Sequence, residues 1–182
     1  MYSTSIKVCH NLRIPQHKTF AGIAQRGKGT MVWFYSFKLH IITNHRGEIV
    51  AAKITTGNNH DTKPDPELAS KLFRKLYADK GYISSKLKRL LCDNGVDLIT
   101  NFRKNMKVKA LSLWGRAMLS RRFIIETIND QLKNISQIEH SRHRSPNGFM
   151  LNPIGDLVAY CLKDKKPQLN ISDLEANSMV NA

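Results

Sequence analysis

The chain's 182 residues are enough for one domain with a sizeable core, and 29 Lys and Arg against 14 Asp and Glu give it a formal charge of +15. That excess points to a polyanionic partner, with nucleic acid ahead of membrane lipid because no long basic amphipathic segment carries an aromatic face. Three scattered cysteines without a C-x-x-C pair argue against a disulfide framework. No signal-peptide h-region and no apolar run near the roughly 20 residues of a bilayer span is present, so a cytoplasmic protein with no membrane partner is expected.

Residues 9–31 mix His10, His17, three glycines and the basic pair Arg26 and Lys28 with little periodicity, and read as a loop that touches something anionic. Val32 to Thr43 is dense in aromatic and β-branched residues. Asn44-His45-Arg46-Gly47 supplies a turn before Glu48 to Thr56, which predicts an antiparallel hairpin. Pro66-Glu67 opens an apolar-periodic stretch through Leu68, Leu72 and Leu76, predicted as a helix that gives way to a short buried strand at Leu76 to Ala78. Ser84 is a predicted N-cap for a helix over Ser85 to Cys92, ended by Asn94-Gly95, and Val96 to Thr100 is a further strand.

Residues 101–116 are basic and irregular, and a long helix is predicted from about Ala117 to Ile135. Pro153, Gly155 and Asp156 interrupt Leu151 to Tyr160, otherwise a plausible apolar helix; proline inside a helix costs about 3 kcal/mol. The order strand, strand, helix, strand, helix, strand, helix predicts an α/β fold with a mixed sheet whose first strands are antiparallel. Residues 1–163 are expected to form the core, and 164–182, polar in sequence, a flexible tail.

Two acids stand out. Asp79 follows a strand and precedes Lys80-Gly81-Tyr82, so it either caps a tight turn or projects from a strand end, where ligands and metals gather in open sheets. Glu126 falls in the long helix with Arg122 and Asp130 about 40° to either side and Lys133 about 20° away, on the face opposite Ile124, Ile128, Leu132 and Ile135. That face is either solvated, with i,i+4 ion pairs, or functional. Together Asp79 and Glu126 could hold Mg²⁺, a hard cation that prefers oxygen ligands, but a two-ion site needs more carboxylate than two acids supply. Asp61 is the nearest further acid, in a cluster of turn formers where Asp commonly bonds its own backbone; Asp65 and Asp93 read as turn residues. Neither Cys9-His10 nor His140 to His143 has the partners of a zinc site, and no G-x-S-x-G elbow suggests a serine hydrolase.

Three stretches, Ser3 to Asn11 with Trp33 to His40, Tyr77 to Ser84, and Arg121 to Lys133, resemble insertion-sequence DDE transposases of the 982 family over most of the chain, from Ser3 to about Lys166. The resemblance implies a ribonuclease H-like core, with antiparallel strands followed by parallel ones and flanking helices. It also implies metal-dependent cleavage and strand transfer of DNA at element ends. Asp79 and Glu126 become the second and third catalytic acids, expected to bind two Mg²⁺ or Mn²⁺ ions in an intact member. Arg122 and Lys133 are expected near the scissile phosphate, with Lys80 and Lys38 as further cations against DNA.

Several positions depart from the family. Its first acid directly precedes the Ser-Thr of the first strand, where this chain has Tyr2 after Met1; Leu119 stands where related transposases often have Tyr, and Val32 and Ser36 where glycines are expected. The resemblance therefore implies an N-terminally shortened bacterial copy, nucleoid-associated and inactive or impaired. A homodimer, or pairing with an intact transposase, is open to it. The competing expectation is a non-catalytic basic DNA-binding fragment that interferes with intact transposase.

Overall fold

The computed structural model describes residues 1–28, 33–63, 65–70, 72–102, 111–120, 122–139 and 143–168. Four strands form the larger sheet: β1 (Tyr2–Cys9), β2 (Gln25–Lys28), β3 (Trp33–Thr43) and β4 (Ile49–Thr56). All pair antiparallel to β3. Strand β1 lies along one edge with Tyr2 opposite Ile41, while β4 and β2 follow one another along the other. Gly57 sits at their joint and donates its N–H to the Ser36 carbonyl at 2.9 Å. A Cβ there would lie 2.2 Å from Ser36 Oγ and 2.7 Å from Ser36 O, so only glycine fits. The hairpin turn at 44–47 is as predicted, with Gly47 at φ +73.

A second, two-stranded sheet pairs β5 (Arg74–Ala78) with β6 (Val96–Thr100) in parallel, joined through helix α2 (Ser85–Asp93). Ser84 caps α2 through its side chain and Gly95, at φ +76, follows its end, so both predicted helix signals act as expected. The amino group of Met1 donates to the Tyr77 carbonyl at 2.8 Å, joining the start of β1 to β5.

Alternation along the strands divides the apolar side chains between two cores. Ile6, Phe37, Leu39 and Ile41 face the helices α4 (Phe123–Asn134) and α5 (Pro146–Cys161), where they meet Ile124, Ile128, Leu132, Phe149 and Tyr160. On the opposite face, Met1 and Ile42 join Leu76, Tyr82, Leu87, Leu91 and Leu98. The mixed α/β class is as expected, and all three cysteines are free thiols. Among the described residues no helix is long and apolar enough to cross a membrane.

Four expectations require correction. The region read as a loop over 9–31 contains a 3-10 helix at Asn11–Gln16 and strand β2. The helix opened at Pro66-Glu67 is only α1 (Asp65–Leu68); Arg74 to Ala78 is strand, because a parallel partner at 96–100 outweighs a three-leucine periodicity. The long helix is divided into α3 (Leu113–Ser120) and α4, so Glu126 lies in the first turn of α4 instead of mid-helix, and Ile135, just past its end, is 65% exposed. Finally, α5 runs through Pro153. Ser145 caps it and Pro146 starts it, while burial of Phe149, Pro153 and Tyr160 offsets the lost hydrogen bond. The predicted irregular residues 103–110, Val32, His140 to Arg142 and the tail from 169 onward lie outside the described residues.

Candidate active site

Asp79 ends the run of β5 and caps the 3-10 turn Lys80–Tyr82, accepting from the Lys80 backbone N–H at 2.7 Å. The same oxygen, Oδ1, accepts from Arg122 Nη1 at 2.7 Å. Turn capping, one of the two roles the sequence left open for Asp79, therefore coexists on one atom with an ion pair to a distant arginine.

Arg122 is the hinge of the site. It occupies the N-cap position of α4 with no side-chain capping bond of its own, so the guanidinium is directed elsewhere. Nε and Nη2 donate to Glu126 Oε1 at 3.0 and 2.7 Å while Nη1 holds Asp79. Since a guanidinium is planar and rigid, the two bonded carboxylate oxygens lie at most about 8 Å apart. The bond to Glu126 is the first cause of the raised Arg122 pKa, followed, against burial, by the charge of Asp79. Glu126, in the first turn of α4, also sits where the helix dipole favours an anion. With Arg122 43%, Asp79 31% and Glu126 46% exposed at the side chain, such pairs contribute on the order of 1 kcal/mol or less each. Their effect is on geometry more than on stability.

Tyr2 stands beside this cluster. Burial pushes its phenol pKa up, the charges of Glu126, Asp79 and Asp61 push it further, and Arg122 opposes them. The phenol is therefore held neutral at physiological pH, next to the carboxylates, on the strand the resemblance assigns to the first acid.

Asp61 departs from its expected role as a self-bonded turn residue. Its Oδ1 accepts from Ser3 Oγ of β1 at 2.7 Å and from Lys38 Nζ of β3 at 3.0 Å, tying the 57–63 segment to both strands. A Cβ on Gly81 would lie 3.3 Å from its Oδ2, so Asp61 also abuts the turn that Asp79 caps. Burial would raise its pKa, but the hydrogen bonds from Ser3 and Lys38 and the Lys38 charge hold it below the ordinary value. Only proximity in sequence to Asp79 hinted at this. The partners come from strands about 20 and 60 residues away, a separation that no local spacing rule encodes.

The other predicted cations are distributed around the pair. Lys38 is engaged by Asp61 and by the Asn59 carbonyl at 2.9 Å, and Lys80 is exposed in the turn after Asp79. Lys133 pairs with Glu139 at 2.9 Å and lies two helical turns, about 10 Å, beyond Glu126. Arg122, Asp79 and Glu126 thus meet, whereas Lys133 and Lys38 stand apart with partners of their own. Among the described residues no three His, Cys, Asp or Glu side chains gather closely enough to hold a metal ion. A cavity of about 780 Å³ opens beside the cluster, with Asp79 and Arg122 in its wall together with Met1, Leu76, Trp114 and Leu119.

Comparison with known proteins gives a match to the transposase DDE domain over residues 1–146. No curated protein and no solved structure matches the chain. The matched span includes β1, the turn at Asp79 and the whole of α4, and so every residue of the cluster just described. The chain therefore belongs to the transposase DDE-domain family, whose members act in DNA transposition.

Proposed function

We propose that Asp79 and Glu126 are the second and third acids of a metal-dependent DNA cleavage and strand-transfer centre, impaired in this chain because Tyr2 holds the first acid's place. The observation that carries the reading is the Arg122 bridge, which brings an acid from a strand end and one from a helix, 47 positions apart in sequence, to a single cation. The donors fit one divalent ion in kind and number, since Mg²⁺ is usually bound by one or two carboxylates completed by water and substrate phosphate. They fall short of two ions, which share a bridging carboxylate; a neutral phenol cannot serve. When bound, the ion would supply Lewis-acid stabilisation of charge at the reacting phosphate.

Within this reading Asp79 and Glu126 hold the ion, and Arg122, with Lys80 beside it, receives the DNA backbone. Lys38 and Lys133 bind phosphate further along. A ribonuclease H-like arrangement is supported by the Met1 to Tyr77 bond, which places β5 and β6 next to β1 and continues antiparallel strands into parallel ones. Burial of Phe149 and Tyr160 in the α4 core supports a domain that extends to about residue 163. The likeness to the 982 family of insertion sequences rests on the motifs already quoted.

A supercoiled-plasmid nicking assay in Mg²⁺ or Mn²⁺ tests the proposal. The native chain is expected to nick little. Tyr2→Asp is expected to gain metal-dependent nicking, and Asp79→Ala or Glu126→Ala added to it to abolish the gain. Robust nicking by the native chain that survives Glu126→Ala would overturn the assignment. Tyr2 also favours a second reading, a DNA-binding fragment without catalysis. That reading predicts affinity falling steeply with salt and indifferent to Asp79→Ala in metal-free buffer.

A further inference from the structure

Arg122 donates three hydrogen bonds, and all three end on the two acids: Nη1 on Asp79 at 2.7 Å, Nε and Nη2 on Glu126 at 3.0 and 2.7 Å. Its positive charge thus lies between the carboxylates, where a divalent cation drawn to the same pair would have to sit. We propose that Arg122 is a built-in counter-ion, a latch that keeps Asp79 and Glu126 from binding metal until a phosphodiester draws the guanidinium away. The role of the acids rests on the function proposed above.

Three features support a movable latch over a fixed structural pair. Arg122 is 43% exposed and precedes the first full turn of α4, so its side chain can swing without disturbing packed residues. The guanidinium fork matches a phosphate as well as it matches a carboxylate, and so can exchange one for the other. The acids it holds expose 31% and 46% of their side chains, which leaves them open to an incoming ion once the arginine has left. Binding of cation and of DNA then become coupled, each strengthening the other by the same factor, because both depend on one guanidinium leaving one place. Typical couplings of this kind are about 5- to 150-fold.

Mn²⁺ binding to the full chain, followed by the loss of the free-ion paramagnetic resonance signal, provides the test without any turnover. In the absence of DNA, Arg122→Gln should bind Mn²⁺ at least about tenfold more tightly than the native chain, and adding Glu126→Gln should remove that gain. A short duplex, corrected for the Mn²⁺ bound by DNA alone, should tighten Mn²⁺ binding to the native chain by a similar factor and leave Arg122→Gln nearly unchanged. Circular dichroism and thermal melting confirm that each variant is folded; Arg122→Lys, which keeps the charge but loses the fork, should behave closer to the native chain than Arg122→Gln does. Equal or weaker Mn²⁺ binding by folded Arg122→Gln overturns the latch, as does an equal gain from DNA in both proteins. If Arg122→Gln binds Mn²⁺ more tightly but neither protein nicks DNA after Tyr2→Asp, the latch stands and the catalytic reading fails.

Discussion

Replacing Tyr2 by Asp places a third carboxylate beside Asp79 and Glu126, the two acids that already share Arg122. Two like charges roughly 6 Å apart repel by about 3 kcal/mol at an effective dielectric constant near 20, which sets the scale for each new pair. Solvent exposure of both acids and attraction to Arg122 reduce the net repulsion to about 2 kcal/mol. Loss of the partly buried ring, which packs against the α4 core, adds roughly 1–2 kcal/mol. In a domain of this size 1 kcal/mol moves Tm by about 2–4 °C, so metal-free Tyr2→Asp should melt about 10 °C below the native chain. A cation present at about 100 times its Kd restores about 2.7 kcal/mol, and most of that loss should return with Mn²⁺. The native chain, with two acids and a guanidinium between them, should shift by less than about 2 °C at the same Mn²⁺ concentration. Differential scanning fluorimetry with and without Mn²⁺ measures all four states. If Tyr2→Asp melts like the native chain, or its loss is indifferent to Mn²⁺, Tyr2 does not stand at a cation site.

Two further predictions concern the sheet that carries the site. Gly57→Ala would set a methyl 2.2 Å from Ser36 Oγ and within 3 Å of the Ser36 and Gln25 carbonyls, so β2 and β4 cannot both keep their register; a loss of about 3 kcal/mol or more in urea denaturation is expected, and a loss under about 1 kcal/mol would contradict the close approach. His40 is fully buried with Nε2 2.9 Å from Thr55 Oγ1, and burial, aided by Lys38 and Lys53 and opposed by Asp61, lowers its pKa to about 4. As pH falls through about 6.5 the unfolded chain takes up a proton that the folded chain refuses, so stability drops by on the order of 3 kcal/mol between pH 6.5 and 4. Asp61, with a depressed folded pKa, adds a further loss at lower pH as it protonates. Melting temperatures across this window should flatten in His40→Gln, and an equally steep decline in that variant would assign the effect to another group.

What the sequence made legible follows from how far each signal reaches along the chain. The 44–47 turn, the Ser84 cap and the stop at Asn94-Gly95 are decided by a few neighbouring residues, and each is found where local chemistry puts it. The helix expected through Leu72 and Leu76 gives way to strand because the parallel partner at 96–100 lies beyond the reach of a local periodicity, and the expected break at Pro153 fails because two aromatic anchors on the same helix bury themselves in the core. Division of the 117–135 stretch into α3 and α4 has the larger functional consequence. In one continuous helix, Arg122 and Glu126 form an ordinary i,i+4 pair on a solvated face. As the residue that precedes α4, Arg122 can turn its third donor toward Asp79, and the pair becomes a three-member cluster joining a helix to a strand end. Residue types and spacing could nominate Asp79 and Glu126 one at a time. That they share a single cation, and that Asp61 reaches across to Ser3 and Lys38 to brace the neighbouring turn, depends on contacts between segments 21 to 58 residues apart. Such contacts are fixed by the packing of β1, β3 and β5 and by no motif in any one of them.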